Sequence, residues 1–110
     1  MNAQYDERDG VLIVTPIERL DTGNAPAVEL EVMRRIEAGA SKIVFDFERT
    51  NYVSSAGLRV LLKAAKSLNR RDAGVAVCRA NSHVREVLDL SGFGKVVKVA
   101  KTVSKAIAAL

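Results

Sequence analysis

Histidine occurs once in this sequence, at His83, tryptophan not at all, and cysteine only at Cys78. Each scarcity excludes something. One imidazole and one thiol cannot form the His/Cys cluster that holds a transition metal, so no metal site is expected. A serine hydrolase presents its nucleophile on a Gly-x-Ser-x-Gly turn beside an imidazole base; that turn is missing, and His83 is the only imidazole. No phosphate-binding Gly-x-x-x-x-Gly-Lys-Ser/Thr loop occurs, since the nearest stretch, SSAGLR, lacks the lysine and the spacing. Cys78 cannot make an internal disulfide, and its apolar setting, GVAVCRA, reads as a buried thiol in a reducing cytoplasm. Aromatic residues are only 5 % of the chain, too few for base-stacking, so the net charge of +4 is weak evidence for nucleic acid. No apolar run approaches the roughly 20 residues of a membrane helix. The start, MNAQYDERDG, is polar and argues against a cleaved export signal. The expectation is a cytoplasmic protein that is no enzyme, holds no cofactor and touches no membrane.

What is present is ordinary globular composition: 110 residues, 48 % apolar and 27 % charged, enough for one domain over residues 1–110. VLIVTPIE (11–18) is β-branched and reads as a strand, with Asp9-Gly10 turning from a short edge strand at 3–7. Pro16 should mark a strand end, an edge or a bulge. Asp21 or Asn24 can cap the next helix, where Pro26 suits the first turn and Ala25, Val28, Val32 and Ile36 recur at helical spacing. Gly39 closes it. KIVFDFE (42–48) is a core strand, and a helix runs from near Ser55 to about Asn69. GVAVCRA (74–80), SHVREVLDLSG (82–92), KVVKV (95–99) and TVSKAIAAL (102–110) then read as strand, helix, strand and helix. In that third helix Gly92 reads as the C-cap, Phe93 as the residue pinning its end to the core, and His83 as a surface or capping residue. Strands alternating with helices predict an α/β sandwich: a mixed, mostly parallel sheet of about five strands with about four helices.

In such sheets functional groups gather beyond the carboxyl ends of the strands. The segment FDFERTNYVSSAGL lies there, ahead of a helix with Leu58, Leu61, Leu62, Ala65 and Leu68 on its apolar stripe. Ser54 or Ser55 can be a simple N-cap, worth about 1 kcal/mol. Three features point further. The small residues at 54 to 57 leave the hydroxyls uncovered. Gly57 costs about 1 kcal/mol against alanine inside a helix without any capping benefit. A phosphate on that serine would meet free amides and the positive end of the helix dipole. Arg59, Lys63, Lys66 and Arg70 form a basic stripe from beside Ser55: a solvated face, a surface that holds an acidic partner, or, least favoured for want of aromatics, a nucleic-acid surface.

NYVSSAGLRVLL, preceded by KIVFDFE and followed by REVLDLSGFGKVVKV, resembles the STAS domain, specifically the bacterial anti-sigma factor antagonists. The resemblance covers nearly the whole chain, including RLDTGNAPAVE. It implies partner switching in transcription regulation. The unphosphorylated antagonist binds a serine kinase of the histidine-kinase-like ATPase fold, which is also the anti-sigma factor. Phosphorylation of a serine at the start of the second helix ends binding, and a metal-dependent phosphatase restores it. The family motif, Asp-Ser-Ser/Thr-Gly-Leu, aligned on Gly57-Leu58, puts its aspartate on Ser54, its modified serine on Ser55 and its second hydroxyl on Ala56. Ser55 is therefore the expected phosphorylation site, with Ser54 in reserve. Asp21, Ser54, Ser55, Ala56, Gly57, Leu58, Arg59 and Lys63 are the expected partner surface; Asp21 matches the family's loop aspartate. The alternative is a constitutive regulatory or structural STAS subunit of a transporter or signalling scaffold, without phosphorylation.

Overall fold

The structure, a computed structural model, describes residues 2–69 and 73–110. The first two strands, β1 (Ala3–Arg8) and β2 (Val11–Pro16), form an antiparallel hairpin in which Arg8 pairs with Val11. Between them Asp9 and Gly10 have φ of 55° and 77°. Two successive positive φ values suit a two-residue turn twisted like the strands it joins, and Asp-Gly is a favoured pair for it. Pro16 ends β2, as its missing N–H requires. The expected strand over 11–18 is in fact two. Glu18 takes a left-handed φ of 67° and opens a separate strand, β3 (Glu18–Leu20).

The chain continues through α1 (Ala25–Glu37), β4 (Lys42–Asp46), β5 (Thr50–Val53), α2 (Ser55–Ser67), β6 (Gly74–Cys78), α3 (Ser82–Leu90), β7 (Lys98–Ala100) and α4 (Val103–Ala109). The main sheet has the order β1-β2-β4-β6-β7 and is parallel beyond the first hairpin. This mixed, mostly parallel five-stranded sheet with four helices is the predicted class.

Alternation along the strands sends side chains to two cores. Leu12, Val14, Ile43, Phe45, Val75 and Val77 meet Val28 and Val32 of α1, Val60 and Leu61 of α2, and Val84 and Leu88 of α3. On the opposite face Val11, Ile13, Val44, Ala76 and Cys78 meet Ala106 of α4. Coverage on both faces is why β4 and β6 are unbroken apolar runs. Each fully buried leucine, valine or phenylalanine contributes about 2 kcal/mol of transfer free energy, so these layers drive the fold.

Two elements differ from their sequence reading. β5 was not expected; it pairs parallel with β3 in a two-stranded ribbon outside the main sheet. Its four residues are buried only at the ends, Thr50 and Val53, which leaves no period-2 signal. The strand expected over 95–99 starts three residues later, at Lys98, and is only three residues long, because Phe93–Lys95 forms a 3-10 turn in which the Val96 and Val97 amides both donate to the Phe93 carbonyl. Gly92 does end α3 in the left-handed region (φ 71°), and Phe93 is buried in the core.

The ribbon is held in place at two points. At its carboxyl end the first turn of α2 lies directly on β3. A Cβ built on Gly57 would stand 2.3 Å from the Leu20 carbonyl oxygen and 3.0 Å from both Leu20 Cγ and Val53 Cγ1. Only glycine permits that approach. At the other end the β6–α3 loop grips the β4–β5 loop. Arg79, itself left-handed (φ 54°), donates from Nε to Asp46 Oδ1 (3.0 Å) and from Nη2 to Asp46 Oδ2 (2.6 Å). The same Nη2 lies 2.6 Å from Glu48 Oε2. Asn81 Nδ2 reaches the Thr50 carbonyl at 3.4 Å, and Thr50 Oγ1 donates to the Pro16 carbonyl at 2.8 Å.

Three outcomes follow for stability. Gly57→Ala gains about 1 kcal/mol of helix propensity but overpacks a backbone oxygen. A net loss of about 2 kcal/mol is expected in urea denaturation, and a gain would show that the contact is not tight. Arg79→Ala leaves Asp46 buried and stripped of its main donors. Breaking a fully buried pair costs several kcal/mol; the Arg79 side chain is 39 % exposed, so water fills in and a loss of about 1–2 kcal/mol is expected. Wild-type stability in that variant would exclude the clamp. Finally, burial and then the Asp46 carboxylate push the Cys78 thiol up to about 12. In native protein at pH 8 it should resist a thiol reagent and react at the rate of unfolding.

Candidate partner-binding and modification site

The site begins where β5 leaves the ribbon. Ser54 is extended (φ −92°, ψ 177°) and is fixed through three of its groups. Its amide donates to the Leu20 carbonyl at 3.0 Å, and its carbonyl accepts from the Leu58 amide at 2.9 Å. Its hydroxyl oxygen accepts from the Gly57 amide at 3.4 Å, a long capping bond. Ser54 is thus the N-cap of α2 and Ser55 the first helical residue. Ser55 is exposed, and its hydroxyl has no hydrogen bond to any described residue. The sequence left open which serine caps the helix; the backbone resolves it.

The following residues divide by face. Ala56 and Leu58 pack partly against the core, Gly57 is buried against Leu20, and Val60, Leu61 and Ala64 carry the buried stripe. Arg59, Lys63 and Lys66 are exposed. The basic stripe is not uniform, because Lys63 Nζ lies 3.1 Å from Glu29 Oε2 on α1. Arg59 and Lys66 have no ion pair with any described residue. Arg70, expected to end the stripe, lies outside the described residues.

The loop between β3 and α1 borders the motif, since Asp21 follows the Leu20 carbonyl that receives Ser54. Asp21 does not cap α1 with its side chain. Its Oδ1 accepts from the Gly23 amide at 2.9 Å, and its Oδ2 lies 3.7 Å from Arg19 Nη1. Asn24 occupies the N-cap position without a side-chain capping bond. Its Oδ1 accepts from the Asp21 amide (2.8 Å) and its Nδ2 donates to the Arg19 carbonyl (2.6 Å). The two residues expected as alternative caps instead close the loop on itself. An open groove of about 380 Å³ runs from this loop to the ribbon, lined by Glu18, Arg19, Asp21, Asn51 and Tyr52.

Sequence reasoning missed Tyr52. Its ring is about half exposed and stacks on His83 of α3 at 5.6 Å between centroids, with 16° between planes. The pair flanks the motif, but its members come from strand and helix 31 positions apart, and only the unexpected strand β5 brings them together. His83 is exposed, as expected, while the cap of α3 is Asn81, whose Oδ1 accepts from the Val84 amide at 2.8 Å. Among the described residues no group of three or more His, Cys, Asp or Glu side chains is placed to hold a metal. Nor is any described helix long and apolar enough to cross a membrane.

The arrangement suits recognition by another protein: a rigid serine-bearing turn, an exposed hydroxyl, an aromatic pair and flanking cations. Comparison with known proteins agrees. The STAS domain family model matches residues 2–106. BtrV of Bordetella bronchiseptica, provisionally named an anti-sigma factor antagonist, is 37 % identical over 109 residues, which is 99 % of this chain and 94 % of that protein. The anti-sigma F factor antagonist of Paenibacillus polymyxa is 28 % identical over 100 residues, covering 90 % of this chain and 86 % of its own. Among solved structures, a Thermotoga maritima protein, also provisionally named an anti-sigma factor antagonist, superposes with a TM-score of 0.91 at 26 % identity. That match covers 97 % of this chain and 92 % of the other. The chain belongs to the STAS domain family, and the relatives it resembles by sequence are named as anti-sigma factor antagonists.

Proposed function

We propose that this protein is an anti-sigma factor antagonist that works by partner switching, with Ser55 as the switch. The unphosphorylated form binds a serine kinase of the histidine-kinase-like ATPase fold, the anti-sigma factor, and so releases the sigma factor. Transfer of a phosphoryl group to Ser55 ends the complex, and a metal-dependent phosphatase removes it. The partner surface comprises Asp21, Ser54, Ser55, Ala56, Leu58, Arg59 and Lys63, to which we add the half-exposed Tyr52; Gly57, expected on it, is buried against Leu20 and serves the surface only by seating α2.

One observation carries this reading: Ser54 is consumed as the cap, and Ser55 stands exposed with a hydroxyl bonded to no described residue. A modification site needs a fixed backbone and a free nucleophile, and the two serines divide those tasks. Phosphate at Ser55 adds about −1.5 to −2 charges at a helix start, where free amides and the dipole tolerate it. A partner packed over the same serine must bury or repel that charge. The fold therefore survives modification and the complex does not.

The test separates the two serines. Protein from its native cells is analysed by intact mass and phosphopeptide mapping, beside Ser54→Ala and Ser55→Ala variants. Ser55→Ala should lose the phosphate and change stability by less than about 0.5 kcal/mol, as an exposed non-capping position does. Ser54→Ala should keep the phosphate and lose about 0.5–1 kcal/mol, the lower range for a cap because its bond is long. Phosphate on Ser54 would keep the mechanism and move its site. An unmodified chain across growth and stress conditions would favour a constitutive STAS subunit.

A further inference from the structure

Resting on the Ser55 reading above, we infer that Arg59 is the internal partner of the Ser55 phosphate, so that phosphorylation removes a cation from the docking surface as it adds an anion. Residues four apart on a helix stand one above the other, with Cβ atoms about 5–6 Å apart. Side chains of a helix lean toward its N-terminus, so Arg59 leans toward Ser55. Both are exposed on α2. The neighbouring cations are already engaged: Lys63 with Glu29 at 3.1 Å, and Arg19 with Asp21 at 3.7 Å. Arg59 has no ion pair with any described residue, so it turns to a new anion without breaking an existing contact. Its planar guanidinium also offers two parallel N–H donors that match two phosphate oxygens, which a lysine does not. The phosphate arrives covalently attached, so no affinity for a free anion is required.

The consequence is a sharper switch. In the unphosphorylated chain Arg59, paired with no described residue, stands beside the serine and is available to an acidic partner. In the phosphorylated chain the same guanidinium is turned onto the phosphate and withdrawn from that partner.

Phosphoserine is placed at position 55 by genetic code expansion, without a kinase. The second ionisation of its phosphate is then followed by phosphorus NMR in the otherwise unaltered chain, in Arg59→Ala and in Lys66→Ala. Lys66→Ala removes the same charge from an exposed position, paired with no described residue, more than two turns away on α2. With Arg59 in place the phosphate should hold its second proton roughly threefold less tightly than in Arg59→Ala, the size of a charge-assisted helical pair. Lys66→Ala should leave the titration unchanged. Equal titration with and without Arg59, or an equal effect of Lys66→Ala, would overturn the inference. Because the phosphate is installed directly, this result stands apart from whether native cells phosphorylate Ser55, which the mass analysis decides.

Discussion

The carbonyl of Leu20 is the group on which the site depends. It accepts the Ser54 amide at 3.0 Å, and it lies where a side chain on residue 57 would have to be. One backbone oxygen therefore joins the β3–β5 ribbon to α2 and forbids any Cβ at the contact. The closeness has two results. Ser54 is held extended at the end of β5, from which its hydroxyl can reach back to the Gly57 amide. And Asp21, the next residue after Leu20, is brought alongside the motif with no direct bond to it. The loop that carries Asp21 then needs its own closure, and Asn24 supplies it by bridging the Asp21 amide and the Arg19 carbonyl.

What could be read in the sequence was whatever repeats locally. The apolar runs of β2, β4 and β6 are visible because both of their faces are covered, and the hairpin is visible because Asp9-Gly10 has a turn chemistry of its own. What could not be read depends on distant partners. β5 is a strand because β3, about thirty residues earlier, lies beside it, and its own four residues alternate in no useful way. Gly57 is the plainest case. Within its helix it is an unexplained cost, and the sequence reading took it as a sign of function. Its partner, Leu20, is 37 positions away, and the glycine is there for packing. The apolar stripe of α2 was legible in outline. Its deepest members, however, are Val60, Leu61, Ala64 and Leu68, with Leu58, Leu62 and Ala65 only partly covered. The basic stripe was legible as charge, but the Glu29 contact that occupies Lys63 comes from another helix.

The reassignment of Gly57 also changes what supports the functional reading. Small residues around a serine no longer count as evidence of accessibility, since one of them is explained by Leu20 and another, Ala56, packs partly on the core. What remains is more specific: of two adjacent hydroxyls, one is bonded within the helix start and the other to no described residue. Serine at position 54, where the family motif has aspartate, costs the helix little, because both residues are good N-caps. The substitution removes a carboxylate from beside Ser55 while preserving the start of α2.

The same geometry argues for Ser55 over Ser54 on energetic grounds. A phosphate on Ser54 would convert the capping oxygen into an ester oxygen, a poorer acceptor for the Gly57 amide. That modification would weaken the contact that seats the helix, so the domain would be destabilised along with any complex. A phosphate on Ser55 would leave from the exposed first helical position, would spare the Ser54 bonds, and would lie on the side of the helix dipole and of Arg59. A reversible switch needs a product whose fold is as secure as that of the substrate, and of the two hydroxyls only the one at Ser55 meets that condition.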